Sequence, residues 1–166
     1  MSSTQEFAGK VVVITGGARN IGRAIALSLA EAGAAVIVNA RASQNEAEET
    51  VALIEAAGGR AIASLADITD RSAVAGMMTV AEKTFGRIDI LVNNAGHQKT
   101  HESILDISTE EFERTMKTNI YAPFWITKAA LPHLKPGSSI IGLSSVQAYD
   151  PSENLYDYAQ TKAATT

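Results

Sequence analysis

Short apolar runs alternate with amphipathic segments along almost the whole chain. The apolar runs lack a regular polar alternation, which predicts strands buried on both faces. The segments between them repeat apolar residues at helical spacing, as at Ile21, Ile25 and Leu29. We predict strands over residues 10–14, 35–38, 61–65, 88–92 and 138–145. We predict helices from residue 21 to Gly33, over 45–57 and 71–85, from 109 to about 134 with a bend near Pro123, and from about 155 onwards.

This alternation predicts a doubly wound α/β fold, in which helices cover both faces of a parallel sheet and form a three-layer structure. We predict one domain over residues 1–166, because the chain has no repeats, low-complexity segments or linker-like regions. In such sheets, ligands bind at the carboxyl ends of the strands. Polar motifs that follow the predicted strands are therefore the candidates for function.

The charge and the apolar runs exclude several classes of partner. Lys and Arg number 14 against 18 Asp and Glu, for a net charge of −4. The chain thus has no basic excess for binding a nucleic-acid polymer or an anionic membrane surface. Residues Met1 to Glu6 are polar, and no apolar run is long enough to span a membrane. We expect a soluble, cytoplasmic protein with no membrane partner.

Cysteine and histidine usage argues against metal and thiol chemistry. The chain contains no cysteine, which excludes disulfides and thiolate nucleophiles. Its three histidines, His97, His101 and His133, lack the spacing of a metal site, so we expect no metal. His97 and His101 could approach a substrate, but we interpret them as surface or loop histidines.

A glycine-rich turn, Thr15 to Gly22, follows the first predicted strand and opens the first predicted helix. This context favours a phosphate-binding loop, because the amide groups and dipole of the helix N-terminus attract a pyrophosphate. Gly16 permits the tight turn, and Gly22 permits close packing of helix and strand. The alternative is an ordinary turn between a strand and a helix.

The end of the second strand predicts which dinucleotide binds. An NAD site usually has an acidic residue there to accept a hydrogen bond from the ribose 2′-hydroxyl. Asn39 takes that position here, and Arg41 and Arg19 are cations that could bind a 2′-phosphate. NADP(H) is therefore favoured over NAD(H), although Arg41 could instead be a solvated loop charge.

Tyr158 and Lys162 lie four residues apart on a predicted helix, so their side chains share one face. An ammonium at that position stabilises a phenolate, which suits Tyr158 to donate or accept a proton. The alternative is a solvated surface pair. Ser144 and Ser145 end the preceding predicted strand, and alternation along a strand directs one of the two hydroxyls to the site.

These motifs, in this order, resemble those of the short-chain dehydrogenases/reductases, which have a Rossmann fold, and the resemblance covers residues 9–166. The glycine turn resembles the family's Thr-Gly-x-x-x-Gly-x-Gly loop, with Asn20 in place of its second glycine. Because asparagine tolerates a left-handed backbone, we expect the turn to survive. Asn93-Asn94-Ala95-Gly96 resembles the family's signature after the fourth strand, and Tyr158 and Lys162 resemble its Tyr-x-x-x-Lys pair.

The resemblance implies an NADP(H)-dependent oxidoreductase, such as a carbonyl reductase, which transfers a hydride to or from a small carbonyl or alcohol substrate. It implies that Tyr158 is the general acid/base, that Ser145 holds the substrate oxygen, and that Asn119 joins Lys162 through water. The resemblance also implies a set of cofactor contacts, in which Asp67 would bind the adenine amino group unless it is only a turn or cap residue. The implied contacts are Gly16, Arg19, Asn20, Ile21, Gly22, Asn39, Arg41, Asp67, Ile68, Asn94, Ala95, Gly96, Tyr158 and Lys162.

Members of this family continue beyond the active-site lysine, so the resemblance implies that the usual C-terminal strands are missing here. With that segment present, the resemblance implies a homotetramer or homodimer. The alternative to an active enzyme is a truncated, catalytically silent nucleotide-binding or interaction domain.

Overall fold

Five parallel strands form one sheet in the computed structural model, which describes residues 5–166. Part of the polar Met1–Glu6 stretch, and the start of the predicted domain over 1–166, lie outside the described residues. The strands are β1 (Val11–Ile14), β2 (Ala35–Ala40), β3 (Arg60–Leu65), β4 (Ile88–Asn93) and β5 (Leu134–Gly142). Their order across the sheet is β3-β2-β1-β4-β5. From β1 the chain adds β2 and then β3 on one side, and it then crosses to the other side of β1 to form β4 and β5. The strand order therefore reverses between β1 and β4.

Helices cover both faces of the sheet, which confirms the predicted fold class. The main helices are α1 (Asn20–Glu31), α2 (Gln44–Ala56), α3 (Arg71–Phe85), α4 (Thr109–Met116), α5 (Ala122–Ala130) and α6 (Tyr156–Thr165). Val12 and Ile14 of β1 join the core under α1 and α2, whereas Val11 and Val13 join the core under α3 and α5. Successive side chains of a strand point to opposite faces, so burial on both sides requires the unbroken apolar run that β1 shows.

The long helix predicted over 109–134 is interrupted, and the interruption precedes Pro123. Residues Lys117–Tyr121 form a π-helical turn in which the Ala122 amide bonds to the carbonyl of Lys117. Pro123 lies in the first turn of α5 and has no amide hydrogen for the carbonyl four residues earlier, that of Asn119. A wider turn just before proline is the physical consequence. The chain continues through a 3₁₀ turn at Leu131–His133.

The fifth strand was predicted over 138–145 but runs from Leu134 to Gly142. Its pairing with β4 shifts register between Ile88 and Ile90, near the left-handed Gly137. The strand is the edge of the sheet among the described residues, and most of it is exposed. Because the strand ends at Gly142, Ser144 and Ser145 follow it instead of belonging to it. Within residues 5–166, no helix has both the length and the apolar character needed to cross a membrane.

Candidate active site

A cleft of about 1040 Å³ lies at the carboxyl ends of the strands, where the strand order reverses. The glycine turn, the ends of β2, β3 and β4, and α6 contribute to its walls. Every residue predicted to contact the cofactor lines this cleft, including Tyr158 and Lys162 at its α6 side. The fold therefore gathers residues from positions 16 to 162 of the chain into one concave site.

The glycine turn has the backbone that its sequence predicts. Gly16 has a left-handed φ of 64° and Asn20 has a φ of 50°. Asn20 is the one non-glycine residue with a positive φ in the described part of the chain. A Cβ atom on Gly22 would overlap the carbonyl oxygen of Gly16 and lie 2.7 Å from Nδ2 of Asn94. Glycine is thus required at position 22, and asparagine is accommodated at position 20.

Thr15 and Asn94 connect the glycine turn to the loop after β4. Thr15 is buried, and its Oγ1 accepts the amides of Asn94 (3.0 Å) and Ala95 (3.1 Å). Nδ2 of Asn94 donates to the carbonyl oxygens of Thr15 (2.9 Å) and Gly16 (3.1 Å). These bonds hold the two loops together beneath the cleft. The role of Thr15 was not predicted from the sequence, although its position directly after β1 was a signal.

The Asn39 side chain supports the glycine turn from below. Its Oδ1 accepts the Gly16 amide at 3.2 Å, and its Nδ2 donates to the carbonyl oxygens of Ala66 (3.0 Å) and Ser64 (3.2 Å). The last residue of β2 is Ala40, two positions beyond the predicted end of the strand at residue 38. Both residues line the cleft and neither is acidic. The end of β2 therefore presents no carboxylate, and Arg41 comes next along the wall.

Asp67 forms a turn and also lines the cleft, whereas its contact with an adenine amino group stays a prediction. Its Oδ1 accepts hydrogen bonds from the amide (2.8 Å) and hydroxyl (2.7 Å) of Thr69. Burial raises the pKa of Asp67, but these hydrogen bonds, with the charges of Arg41 and Lys117, outweigh burial and lower it. Asp67 is therefore an ionised acceptor in the wall of the cleft.

Lys162 and Tyr158 project from α6 towards the other end of the cleft. Nζ of Lys162 donates to the carbonyl oxygen of Leu143 at 2.7 Å and lies 5.5 Å from the centroid of the Tyr158 ring. Lys162 is only 8% exposed, and this burial lowers the pKa of its ammonium group. Tyr149 and Tyr156 are 76% and 44% exposed and are not among the residues that line the cleft. Among these three tyrosines, only Tyr158 lies beside an ammonium in the cleft.

The two serines after β5 take different positions. Ser144 lines the cleft, and its hydroxyl donates to the carbonyl oxygen of Lys162 at 3.1 Å. Ser145 begins a 3₁₀ turn, where its hydroxyl accepts the Gln147 amide at 3.3 Å, and it is not among the lining residues. The substrate-holding role of Ser145 therefore stays a prediction.

Asn119 lies in the π-helical turn, where it is buried and bonded on both sides. Its Oδ1 accepts the His97 amide at 2.7 Å, and its Nδ2 donates to the carbonyl of His97 (2.9 Å) and the hydroxyl of Thr161 (3.0 Å). Asn119 is absent from the lining of the main cleft, but it lines a smaller cavity of about 340 Å³ together with Lys162. A water-mediated link between these two residues stays a prediction.

The histidines after β4 lie in a loop, as expected from the sequence, but His97 is half-buried and His101 is buried. His97 lines the cleft, and its Nε2 lies 2.5 Å from Oε1 of Glu111. The hydrogen bond from His97 lowers the pKa of Glu111; burial opposes it, and the charges of His97, Lys99 and Arg114 reinforce it. His101 lies in the same loop and is only 9% exposed. The sequence gives no direct signal for the pairing of His97 with Glu111, apart from the position of His97 directly after Gly96.

In residues 5–166, His, Cys, Asp and Glu side chains do not gather into any group of three or more that could hold a metal ion.

Comparison with known proteins identifies the family. The profile of the family described as short chain dehydrogenase matches residues 10–166. The chain belongs to this family. One curated relative is the uncharacterized oxidoreductase YhdF of Bacillus subtilis, which is 42% identical over 156 residues, covering 94% of this chain and 54% of the relative. The chain therefore spans about half the length of that relative.

Solved structures agree with this assignment. A short chain dehydrogenase from Burkholderia cenocepacia, in complex with NADP, is 39% identical and superposes with a TM-score of 0.91, covering 96% of this chain and 65% of that one. The angucycline C-6 ketoreductase LanV, with bound NADP, is 34% identical with a TM-score of 0.91, covering 96% of this chain and 64% of that one.

Proposed function

We propose that this chain carries the cofactor site and the proton-transfer residues of an NADP(H)-dependent oxidoreductase that interconverts a small carbonyl compound and its alcohol. One observation carries the proposal: a single cleft brings the glycine turn, suited to a pyrophosphate, together with Tyr158 and Lys162. When bound there, the dinucleotide supplies the hydride, and the protein supplies orientation and the proton.

The glycine turn fits a dinucleotide on its own geometry. The position of a Cβ on Gly22 is occupied by the Gly16 carbonyl and the Asn94 side chain, so glycine is needed there for α1 to pack closely against the turn. Helix α1 begins at Asn20, within the turn, and its first residues line the cleft, where the unpaired amides of a helix N-terminus favour an anion. A dinucleotide pyrophosphate is the ligand that this arrangement fits.

The preference for NADP(H) is supported by charge. Asn39 and Ala40 end β2 without a carboxylate, while Arg19 and Arg41 line the same part of the cleft. Arg19 lies 3.5 Å from Glu46 in an exposed ion pair, which is weak and leaves its guanidinium available to a phosphate. The two solved relatives described as NADP complexes are consistent with this preference.

Tyr158 is the proposed general acid in carbonyl reduction and the general base in the reverse direction. The Leu143 carbonyl fixes the Lys162 ammonium beside the Tyr158 ring, so a cation lies next to the proposed proton donor. Ser144 lies close to Lys162 in the same wall, and Ser145 stays the predicted holder of the substrate oxygen. A cytoplasmic location and assembly into a dimer or tetramer likewise stay predictions.

The proposal is tested by following NADPH consumption over a panel of aldehydes and ketones, with wild type, Tyr158→Phe and the matched control Tyr156→Phe. Tyr158→Phe is expected to lower kcat by about 10²-fold to 10⁴-fold, since proton transfer is lost. Tyr156→Phe alters an exposed ring on the same helix and should leave kcat within about twofold of wild type. NADPH binding without turnover in wild type would instead support the catalytically silent domain.

A further inference from the structure

His97 lies in the cleft in a fixed position. Its backbone amide and carbonyl are both held by the side chain of Asn119, at 2.7 and 2.9 Å. Its ring is anchored separately, through the contact of Nε2 with Glu111 on α4. A loop residue with three such attachments loses little further freedom when a ligand binds it, which favours a recognition role.

The pairing with Glu111 determines which ring nitrogen is available. Glu111 has a lowered pKa and is ionised, so its carboxylate only accepts hydrogen bonds and Nε2 must donate. The other nitrogen, Nδ1, has no hydrogen-bond partner among the described residues and is not among the fully enclosed polar atoms. In neutral imidazole, Nδ1 is then an acceptor with an accessible lone pair.

His97 is also close to the helix that bears the proposed catalytic pair. Nδ2 of Asn119 bonds both to the His97 carbonyl and to the hydroxyl of Thr161, the neighbour of Lys162 in α6. His97, Tyr158 and Lys162 line the same cleft. A carbonyl compound bound at Tyr158 would therefore lie within the cleft that His97 also faces.

Local charge indicates what kind of substrate group His97 would bind. Lys99 lies 3.7 Å from the second oxygen of Glu111, and Glu110, Glu113, Arg114 and Lys117 also line the cleft, so charged groups of both signs share the cleft with His97. These mixed charges do not single out an anionic group on the substrate. A hydroxyl group both donates and accepts hydrogen bonds, so it can pair with Nδ1 in either protonation state of the ring.

We propose that His97 is a specificity-determining residue that binds a hydroxyl group near the reacting carbonyl, so that hydroxylated aldehydes or ketones are the preferred substrates. This inference rests on the proposed oxidoreductase function and deepens it. Glu111 is the positioning residue, since it holds Nε2 of the ring and leaves Nδ1 without a hydrogen-bond partner among the described residues.

The test compares matched substrates with and without one hydroxyl group. Butanone is paired with 3-hydroxybutan-2-one, and propanal with 2-hydroxypropanal; 2-oxobutanoate supplies a carboxylate instead. The readout is the ratio of kcat/KM for the hydroxylated compound to that for its partner. Replacing His97 by phenylalanine should reduce this ratio by about threefold to tenfold, the usual range for one neutral hydrogen bond.

Two variants with amide side chains distinguish the roles of the two ring nitrogens. His97→Asn places an acceptor near the position of Nδ1 and should retain most of the ratio, whereas His97→Gln reaches Glu111 but leaves no acceptor towards the cleft and should lose it. The matched control is His133→Gln, because His133 also pairs with a glutamate, Glu82 at 2.9 Å, but is not among the cleft residues. This control should keep the wild-type ratio, and thermal melting shows that each variant is folded.

The outcomes distinguish the two proposals. Absence of NADPH consumption by wild type with every compound contradicts the oxidoreductase function, and the inference about His97 then fails with it. Turnover by wild type with an unchanged ratio in His97→Phe overturns the inference alone. A loss confined to 2-oxobutanoate would also overturn it, since His97 would then recognise a carboxylate.

Discussion

Nζ of Lys162 donates a 2.7 Å hydrogen bond to the carbonyl oxygen of Leu143, the first residue after β5. This bond ties α6 to the carboxyl end of the sheet and aims the ammonium along the Tyr158 ring. The lysine is therefore both a structural tie and the charge next to the proposed proton donor. Removing the ammonium should therefore affect catalysis and stability differently.

Lys162→Met is expected to lower kcat strongly while changing stability little. Loss of the cation beside the proposed proton donor should slow proton transfer, so kcat should fall by about 10²-fold or more. The Leu143 carbonyl loses its donor, at a cost of about 1 kcal/mol, but the desolvated ammonium that burial disfavours is also removed. Lys128→Met, an exposed lysine on α5, is the control. Steady-state kinetics and urea unfolding measure the two effects, and a kcat within threefold of wild type would contradict the proposed role.

Gly22→Ala should disrupt the glycine turn, because its methyl group would overlap the Gly16 carbonyl and crowd Asn94. We expect a loss of about 1–3 kcal/mol in unfolding free energy and a weaker affinity for NADPH. Gly76→Ala is the matched control, since Gly76 lies in α3 with no atom within 4 Å of the added methyl. That substitution should stabilise by about 0.5–1 kcal/mol, through better helix propensity. Equal effects at both positions would show that the packing at Gly22 is not the cause.

Much of the fold is predictable because its determinants are local. The unbroken apolar run of β1 requires burial on both faces, and the alternation of such runs with amphipathic helices implies a parallel sheet. The glycine turn was predictable for the same reason, since Gly16 and Asn20 adopt left-handed φ angles that few other residues tolerate.

The details that escaped prediction depend on contacts between distant segments. The pairing of His97 with Glu111 joins a loop to α4 across 14 positions, and no periodic pattern marks it. The second strand was predicted to end at residue 38 but runs to Ala40, and because successive strand residues point to opposite faces, Asn39 and Ala40 face opposite sides of the sheet. Asn39 therefore supports the glycine turn from below, while Ala40 packs in the core under α1 and α2.

Arg41→Ala should weaken NADPH binding selectively. If Arg41 binds the 2′-phosphate, its loss should raise the Kd for NADPH by about 10-fold to 100-fold, which corresponds to one charge-assisted hydrogen bond. The Kd for NADH should change by less than about twofold, because NADH has no 2′-phosphate for Arg41 to bind. Lys83→Ala, an exposed cation at the far end of α3, controls for net charge. Fluorescence titration measures both constants. An equal rise in Kd for the two nucleotides would show that Arg41 does not bind the 2′-phosphate.

Asp89 should make the stability of the fold depend on acidic pH. Its carboxylate accepts the Val11 amide at 3.0 Å and pairs with Arg87 at 2.6 Å and with Lys10 at 3.3 Å. Burial raises the pKa of Asp89, but the hydrogen bonds from these groups outweigh burial and hold the pKa below its ordinary 3.8. A depressed folded pKa means that the stabilisation is complete well above 3.8 and is lost as the pH falls through the folded value.

Asp89→Asn should therefore cost about 1–3 kcal/mol near neutral pH, because the ion pairs are lost and Arg87 is left without its partner. The difference between wild type and variant should shrink as the pH falls below 3.8, since protonated aspartic acid resembles asparagine. Urea unfolding across the acidic range measures the difference, with Asp150→Asn as a control at an exposed position. A difference that stayed constant with pH would mean that the Asp89 side chain acts through its shape instead of its charge.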